Sequence, residues 1–311
     1  MREIPGGRIY TRSALVRLLP PEHTPTPLAL TDLVARELDD YAEIIVGPSG
    51  RPVGFMTRAD GPDFTERGRV ALEQLGMSAD ALAHHDAMAE LFEHRRAFLK
   101  LEWLATDSGV TPAASCYFRR RPALAAVIER LAGWGVAAAA LALVRDLAAA
   151  LDKSTVHFVA AAFRPGRPVQ HKLYFSQLVA PDTRADVSAR LERVFERVGL
   201  PEPVRAHWRA HHDATLLPGE SSLFVSLAFD KRELAPWLKL DYPHVSCAQA
   251  GAWLPQPEQA RAIADAELAC TLARTSMLTY LGVRFHAGRP APTLKYYCDM
   301  PDPGPLPATR P

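Results

Sequence analysis

Cations alternate with phenols or carboxylates at one-residue intervals in several places along the chain: Lys100-x-Glu102, Tyr117-x-Arg119, Lys172-x-Tyr174, Lys239-x-Asp241 and Lys295-x-Tyr297. Tyr280-x-Gly282-x-Arg284-x-His286 extends the same pattern. Residues two apart on a β-strand share a face, so each pair would project to one side. The neighbouring positions are mostly apolar: Leu99, Leu101 and Trp103; Cys116 and Phe118; Val169, His171, Leu173 and Phe175; Leu238 and Leu240; Thr279, Leu281, Val283 and Phe285. On one strand alone this is also the pattern of a half-solvated antiparallel sheet. Repeated on several strands, it points to polar faces gathered into one chamber.

Clustered ammonium and guanidinium groups in a partly dry chamber bind a polyanion, because charge-assisted hydrogen bonds to phosphate oxygens are strong at low dielectric. Tyrosines add hydroxyl donors and ring faces whose quadrupole attracts a carbocation without capturing it. An anion-binding floor under aromatic walls suits ionisation of an allylic diphosphate. The leaving group is held while the allyl cation is kept from water until an electron-rich acceptor attacks.

The elements that must position these residues recur. An apolar stretch of helical period is followed by two β-rich runs around a turn, five times over, at 41–59, 98–119, 156–179, 222–242 and 278–299. Repetition at a fixed period is a fold-level signal. Five hairpins predict ten antiparallel strands, and helices between hairpins suit an α+β fold in which a closed β-barrel is surrounded by helices. A single domain over 1–300 is expected, followed by a Pro-rich tail at 301–311. Net charge is +1 across 311 residues, so no nucleic-acid or anionic-membrane footprint is expected. The four cysteines show no C-x-x-C spacing and the N-terminus has no signal-like apolar run, which predicts a cytoplasmic protein with reduced thiols. The Ala/Leu-rich stretch 137–151 is too short to span a bilayer and reads as a packed helix.

The fivefold order and the segment Gln170-His171-Lys172-Leu173-Tyr174-Phe175-Ser176 resemble the ABBA-type (PT-barrel) aromatic prenyltransferases, whose sixth strand often carries a similar Leu-Tyr-Phe-Ser run. Lys172 with Tyr174 resembles the diphosphate-binding pair of the dimethylallyltryptophan synthase branch. The resemblance implies Friedel–Crafts transfer of a dimethylallyl or geranyl group from an allylic diphosphate to an indole, phenol or polyketide. It implies no required cofactor and no metal ligands, Mg²⁺ being at most stimulatory. Lys172, Lys239 and Lys295 would bind diphosphate, joined on strand parity by Arg119 and Arg284. Tyr117, Tyr174 and Tyr297 would shield the cation, although the register of the last strand leaves Tyr296 as the alternative to Tyr297 and the facing of Tyr242 open. Glu102 resembles a glutamate that holds an indole N–H, so Glu102 and Tyr174 are the candidate catalytic pair. Trp237-x-Lys239-x-Asp241 departs from the fuller Arg-x-Lys-x-Tyr pattern, and Asp241 would repel diphosphate unless it meets a cation or the acceptor. A peptide side chain is an alternative acceptor, and a binding barrel without turnover is the alternative from another class.

Competing motifs have simpler readings. Asp39-Asp40-Tyr41-Ala42-Glu43 resembles an Asp-rich Mg²⁺ motif but runs into a strand, so a solvated helix end is expected. His207, His211 and His212 with Asp213 have helical metal spacing, as His84-His85-Asp86 offers a second cluster. No glutamate completes a His-Glu-x-x-His site, and Arg205, Trp208 and Arg209 suggest a surface helix. Cys247 and Cys298 read as small buried hydrophobes. Gly47-Pro48-Ser49-Gly50 reads as a hairpin turn, and Arg119-Arg120-Arg121 as a basic strand end.

Overall fold

A computed structural model describes residues 41–47, 52–59, 64–91, 97–106, 109–118, 121–235 and 237–299. Arg119, Arg120, Asp39, Asp40, the turn positions 48–50 and the tail 301–311 lie outside the described residues.

Five antiparallel hairpins supply the strands: β1 Tyr41–Val46 and β2 Pro52–Ala59, β3 Ala97–Thr106 and β4 Gly109–Phe118, β5 Phe158–Phe163 and β6 Gln170–Val179, β7 Ser221–Phe229 and β8 Trp237–Val245, β9 Leu278–His286 and β10 Arg289–Asp299. Each strand pairs with its sequence neighbour and β1 pairs with β10, closing a ten-stranded barrel. Closure removes the exposed edges that an open sheet would have to protect. The expected α+β architecture of antiparallel strands and packed helices is therefore present.

Between successive hairpins run pairs of helices where one apolar stretch was expected: α1 Phe64–Gln74 and α2 Ala79–Leu91, α3 Leu124–Gly133 and α4 Ala138–Ala150, α5 Arg184–Arg197 and α6 Glu202–Thr215, α7 Cys247–Gly251 and α8 Glu258–Ala273. Their inward stripes have the helical period. On α3, Val127, Ile128 and Leu131 are buried; on α4, Leu141, Val144, Leu147 and Ala148 are. The Ala/Leu-rich stretch is thus a packed helix, and among the described residues no helix is long and apolar enough to cross a membrane.

The hydrophobic core lies outside the barrel, between strands and helices. Leu99, Leu173, Phe175, Leu238, Leu240, Leu281, Val283 and Phe285 point into it, each at most 1 % exposed. Burying such a side chain is worth about 1.5–3 kcal/mol. Alternation then sends the other parity into the lumen. Tyr296 and Tyr242 belong to the outer core, and Tyr297 faces inward. Trp208 and His212 are also buried, so α6 is not a surface helix: His212 Nδ1 lies 2.8 Å from the Tyr242 hydroxyl.

One alternation is broken. Thr279 was expected on the outer face of β9, yet it lines the lumen beside Tyr280, while Leu278 joins the outer core. The pairing of Pro243 with Tyr280 and Val245 with Leu278 spans His244, whose φ of 52° is left-handed. That conformation is rare for a residue with a Cβ, and it rotates the end of β8 so that facing switches there.

Candidate active site

The lumen divides into an aromatic and an ionic wall. Tyr117 on β4, Ala160 on β5 and Tyr174 on β6 form a cluster against which Met56, Phe98, Phe158 and Phe224 pack. Phe158 meets Tyr174 and Tyr117 edge-on, with centroids 6.0 and 6.5 Å apart. This is the preferred geometry for ring quadrupoles. The Tyr174 hydroxyl lies 3.4 Å from that of Tyr117. Burial raises the pKa of both phenols, so they stay neutral and present rings and hydroxyls to the interior.

A charged layer adjoins the aromatic wall, beginning on β3 beside β4, where Lys100 Nζ sits 5.9 Å from the Tyr117 ring centroid. Glu102 on β3 accepts contacts from Lys100 Nζ at 2.9 Å and Lys295 Nζ at 2.5 Å. Burial alone would push the Glu102 carboxyl upward, but Lys100, then Lys295 and Lys172, hold it well below the usual carboxylate range. On β8, Lys239 Nζ lies 2.5 Å from Asp241 Oδ1, donates to the Tyr297 hydroxyl at 2.8 Å and sits 4.6 Å from that ring's centroid. Gly282 makes this packing possible. A Cβ there would fall 2.6 Å from Lys239 Cε and 2.9 Å from Tyr297 Cε2. Arg284 stacks over Trp237 at 4.4 Å.

Two lumen cations, buried Lys172 and half-buried Arg284, make no ion pair among the described residues. Among the described residues Lys172 makes no ion pair, and burial, followed by repulsion from Lys100, draws its pKa well down. Arg284 makes none either, and its Nε is buried without a hydrogen-bond partner. A buried cation left in this way costs several kcal/mol until an anion arrives.

A cavity of 430 Å³ is lined by Tyr117, Tyr174, Phe158 and Phe224, by Lys100, Lys239 and Tyr297, and by Glu43, Asp241 and Asp299. Glu102 joins this lining through its contact with Lys100 and carries Lys295 with it. The structure therefore gathers Lys172, Lys239, Lys295, Arg284, Glu102, Tyr117, Tyr174 and Tyr297 in one lumen. It also changes their expected environment. Lys239 is already engaged by Asp241, which answers the concern that Asp241 would repel an anion, and Glu102 holds two lysines. Glu43 is no solvated helix end: it lies on β1 and is 2 % exposed.

Lumen residues that sequence reasoning missed are Glu43, Met56, Phe98, Phe158 and Phe224. Strand alternation on β1, β2, β5 and β7 was the signal available for most of them. The competing motifs do other work. His207 Nε2 lies 2.8 Å from the Trp253 carbonyl oxygen, and His85 is fully buried in the outer layer. Cys116 and Cys298 are buried, and Cys247 Sγ is 3.7 Å from Cys270 Sγ.

A closed barrel with helices outside and a lumen of lysines and tyrosines defines the ABBA-type prenyltransferase fold, and this chain has it. Among solved structures, prenyltransferase PriB in a ternary complex with L-tryptophan and dimethylallyl thiolodiphosphate matches with a TM-score of 0.58 at 15% identity, covering 97% of this chain and 98% of that one. The 6-dimethylallyltryptophan synthase from Micromonospora olivasterospora, in complex with DMASPP and Trp, matches at 0.62 and 14%, covering 96% and 98%. AnaPT from Neosartorya fischeri matches at 0.62 and 14%, covering 96% and 93%. The sequence matches no protein-family model and no curated protein.

Proposed function

We propose that this protein is an aromatic prenyltransferase that moves a dimethylallyl or geranyl group from an allylic diphosphate to an electron-rich aromatic acceptor. The observation that carries this reading is the pair of cations without an ion pair, buried Lys172 and half-buried Arg284, in a barrel whose cavity is walled by Tyr117, Tyr174 and Tyr297. A diphosphate supplies the missing negative charge. Its allylic C–O bond then breaks with the electron pair leaving on oxygen, and the cation is held against phenol rings away from water. The acceptor ring attacks the allyl carbon, and loss of a ring proton restores aromaticity.

Lys172, Arg284 and Lys295 bind the diphosphate, with Arg119 and Lys239 as further donors. Drawing Lys100 and Lys295 toward the anion releases Glu102, which then accepts the N–H or O–H of the acceptor and takes up a proton. The test is product formation, followed by mass spectrometry, from dimethylallyl and geranyl diphosphate with a panel of indoles, phenols and peptides. Binding of diphosphate without any product would overturn the transferase reading in favour of a binding barrel, and transfer to peptides alone would overturn the small-molecule acceptor.

The lumen lysines meet the diphosphate charge without a metal, so turnover is expected to survive saturating EDTA. Loss that Mg²⁺ restores would instead bring Asp241 or Asp299 forward as ligands. Tyr174→Ala is expected to divert product toward the free prenyl alcohol, because water gains access to the cation, whereas Tyr174→Phe retains the ring and most of the coupling. Chromatographic ratios of alcohol to prenylated acceptor measure this. Equal losses in both variants would remove the ring-face role.

A further inference from the structure

Outside the barrel, three thiols form a cluster that the transfer chemistry does not use. Cys247 opens α7, Cys270 lies in the last turn of α8, and their sulfurs are 3.7 Å apart. Cys298 is on the outward face of β10, where it is fully buried and offers its S–H to Cys270. Cys270 is 4 % exposed, and half-buried Cys247 connects the pair to solvent. The two sulfurs must approach by about 1.7 Å to reach the disulfide bond length of about 2.05 Å, a shift that rotation of two short side chains can supply.

We propose that Cys247 and Cys270 are an oxidative modification site that takes a hydroperoxide and closes to a disulfide joining α7 to α8. This chemistry does not depend on the transferase reading. Cys270 is the nucleophile. A hydrogen bond from Cys298, and then one from Cys247, hold its thiol down at about 7 against burial and against Glu267, the carboxylate facing the pair on α8. Desolvation, and then Cys270, push the Cys247 thiol up to about 12, so it stays protonated. Near pH 7 Cys270 is partly thiolate, the form that attacks peroxides.

The Cys270 sulfur bonds to one oxygen of the hydroperoxide. The O–O bond breaks, and its electron pair leaves on the second oxygen, which takes a proton from solvent to become an alcohol, or water when the reactant is hydrogen peroxide. The resulting sulfenic acid is attacked by Cys247; the S–O bond breaks, and hydroxide departs with the Cys247 proton as water. Two thiols are oxidised by two electrons and one hydroperoxide is reduced. The new bond ties α7, which begins three residues after the cavity-lining His244, to the helix that packs on β10 and β1. Oxidation therefore stabilises the fold and stiffens the end of β8.

The test is treatment of the reduced full chain with a small molar excess of hydrogen peroxide, followed by alkylation, digestion without reductant and mass spectrometry. Four free thiols should become two, with one intramolecular Cys247–Cys270 bond that dithiothreitol reverses. Cys116, whose thiol burial pushes up, should stay reduced. The oxidised protein should melt several degrees above the reduced one. In Cys247→Ser with Cys298→Ala no resolving thiol remains, so dimedone should trap a sulfenic acid at Cys270; in Cys270→Ser it should label nothing at Cys247. Circular dichroism shows that each variant is folded, and the wild-type disulfide map decides without them. Failure of the bond to form, a bond to Cys298 or between two chains in its place, or dimedone on Cys247 in folded Cys270→Ser would overturn the assignment.

Discussion

Lys172→Ala is expected to lose donor affinity and turnover together, by roughly 2–5 kcal/mol, the usual penalty for deleting one partner of a desolvated charge pair. The ammonium meets diphosphate charge in both ground and transition states, so KM for the donor should rise as kcat falls. The ligand-free protein should respond in the opposite direction. Lys172 is buried without an ion pair among the described residues, so Lys172→Met, which keeps the volume and removes the charge, should melt at a higher temperature than wild type. Inorganic diphosphate should raise the melting temperature of wild type well above that of either variant. Unchanged kinetics in Lys172→Ala would exclude Lys172 from the site.

Glu102→Gln is the second large effect. Its carboxylate serves Lys100 and Lys295 at once, so an amide leaves one buried and one half-buried ammonium group without their counter-ion, a loss of about 3–5 kcal/mol. The melting temperature should drop, yet inorganic diphosphate should bind more tightly than to wild type because the lumen has gained net positive charge. Turnover of the folded fraction should fall by about 10²–10⁴, the range for a lost general base, most of all with acceptors bearing an acidic N–H or O–H. A variant that melts lower but turns over at the wild-type rate once folded would make Glu102 a counter-ion alone.

The fold was largely legible because the outer faces of β3, β6, β8 and β9 are apolar while their inner faces are ionic or phenolic, giving a clear period of two. Lys172, Tyr174, Lys239 and Lys295 could therefore be assigned from parity. The aromatic wall was harder to read for a physical reason. On β5, Phe-Val-Ala-Ala-Ala-Phe is apolar on both faces, and on β7 Phe224 lies between Leu223 and Val225, so the inner ring surface looks like more core. Glu43 was hidden differently, by the acidic run just before it. The ion pairs could not have been found by alternation, which gives the face of a residue but not its partner across the lumen. Lys295 and Glu102 are 193 positions apart in sequence. Thr279 was misassigned because nothing in the sequence around His244 announces a left-handed residue.

Pleat parity assigns stability and chemistry to different residues. The outward side chains of each strand hold the helices, whereas the inward ones, a single position away, meet one another across the lumen, as Lys295 meets Glu102 and Lys239 meets Tyr297. Replacing an inward residue therefore alters which molecule fits while leaving the packing interface intact. A lineage built this way can explore new acceptors by point substitution without passing through unfolded intermediates, and two descendants can retain one architecture after most of their sequence has changed.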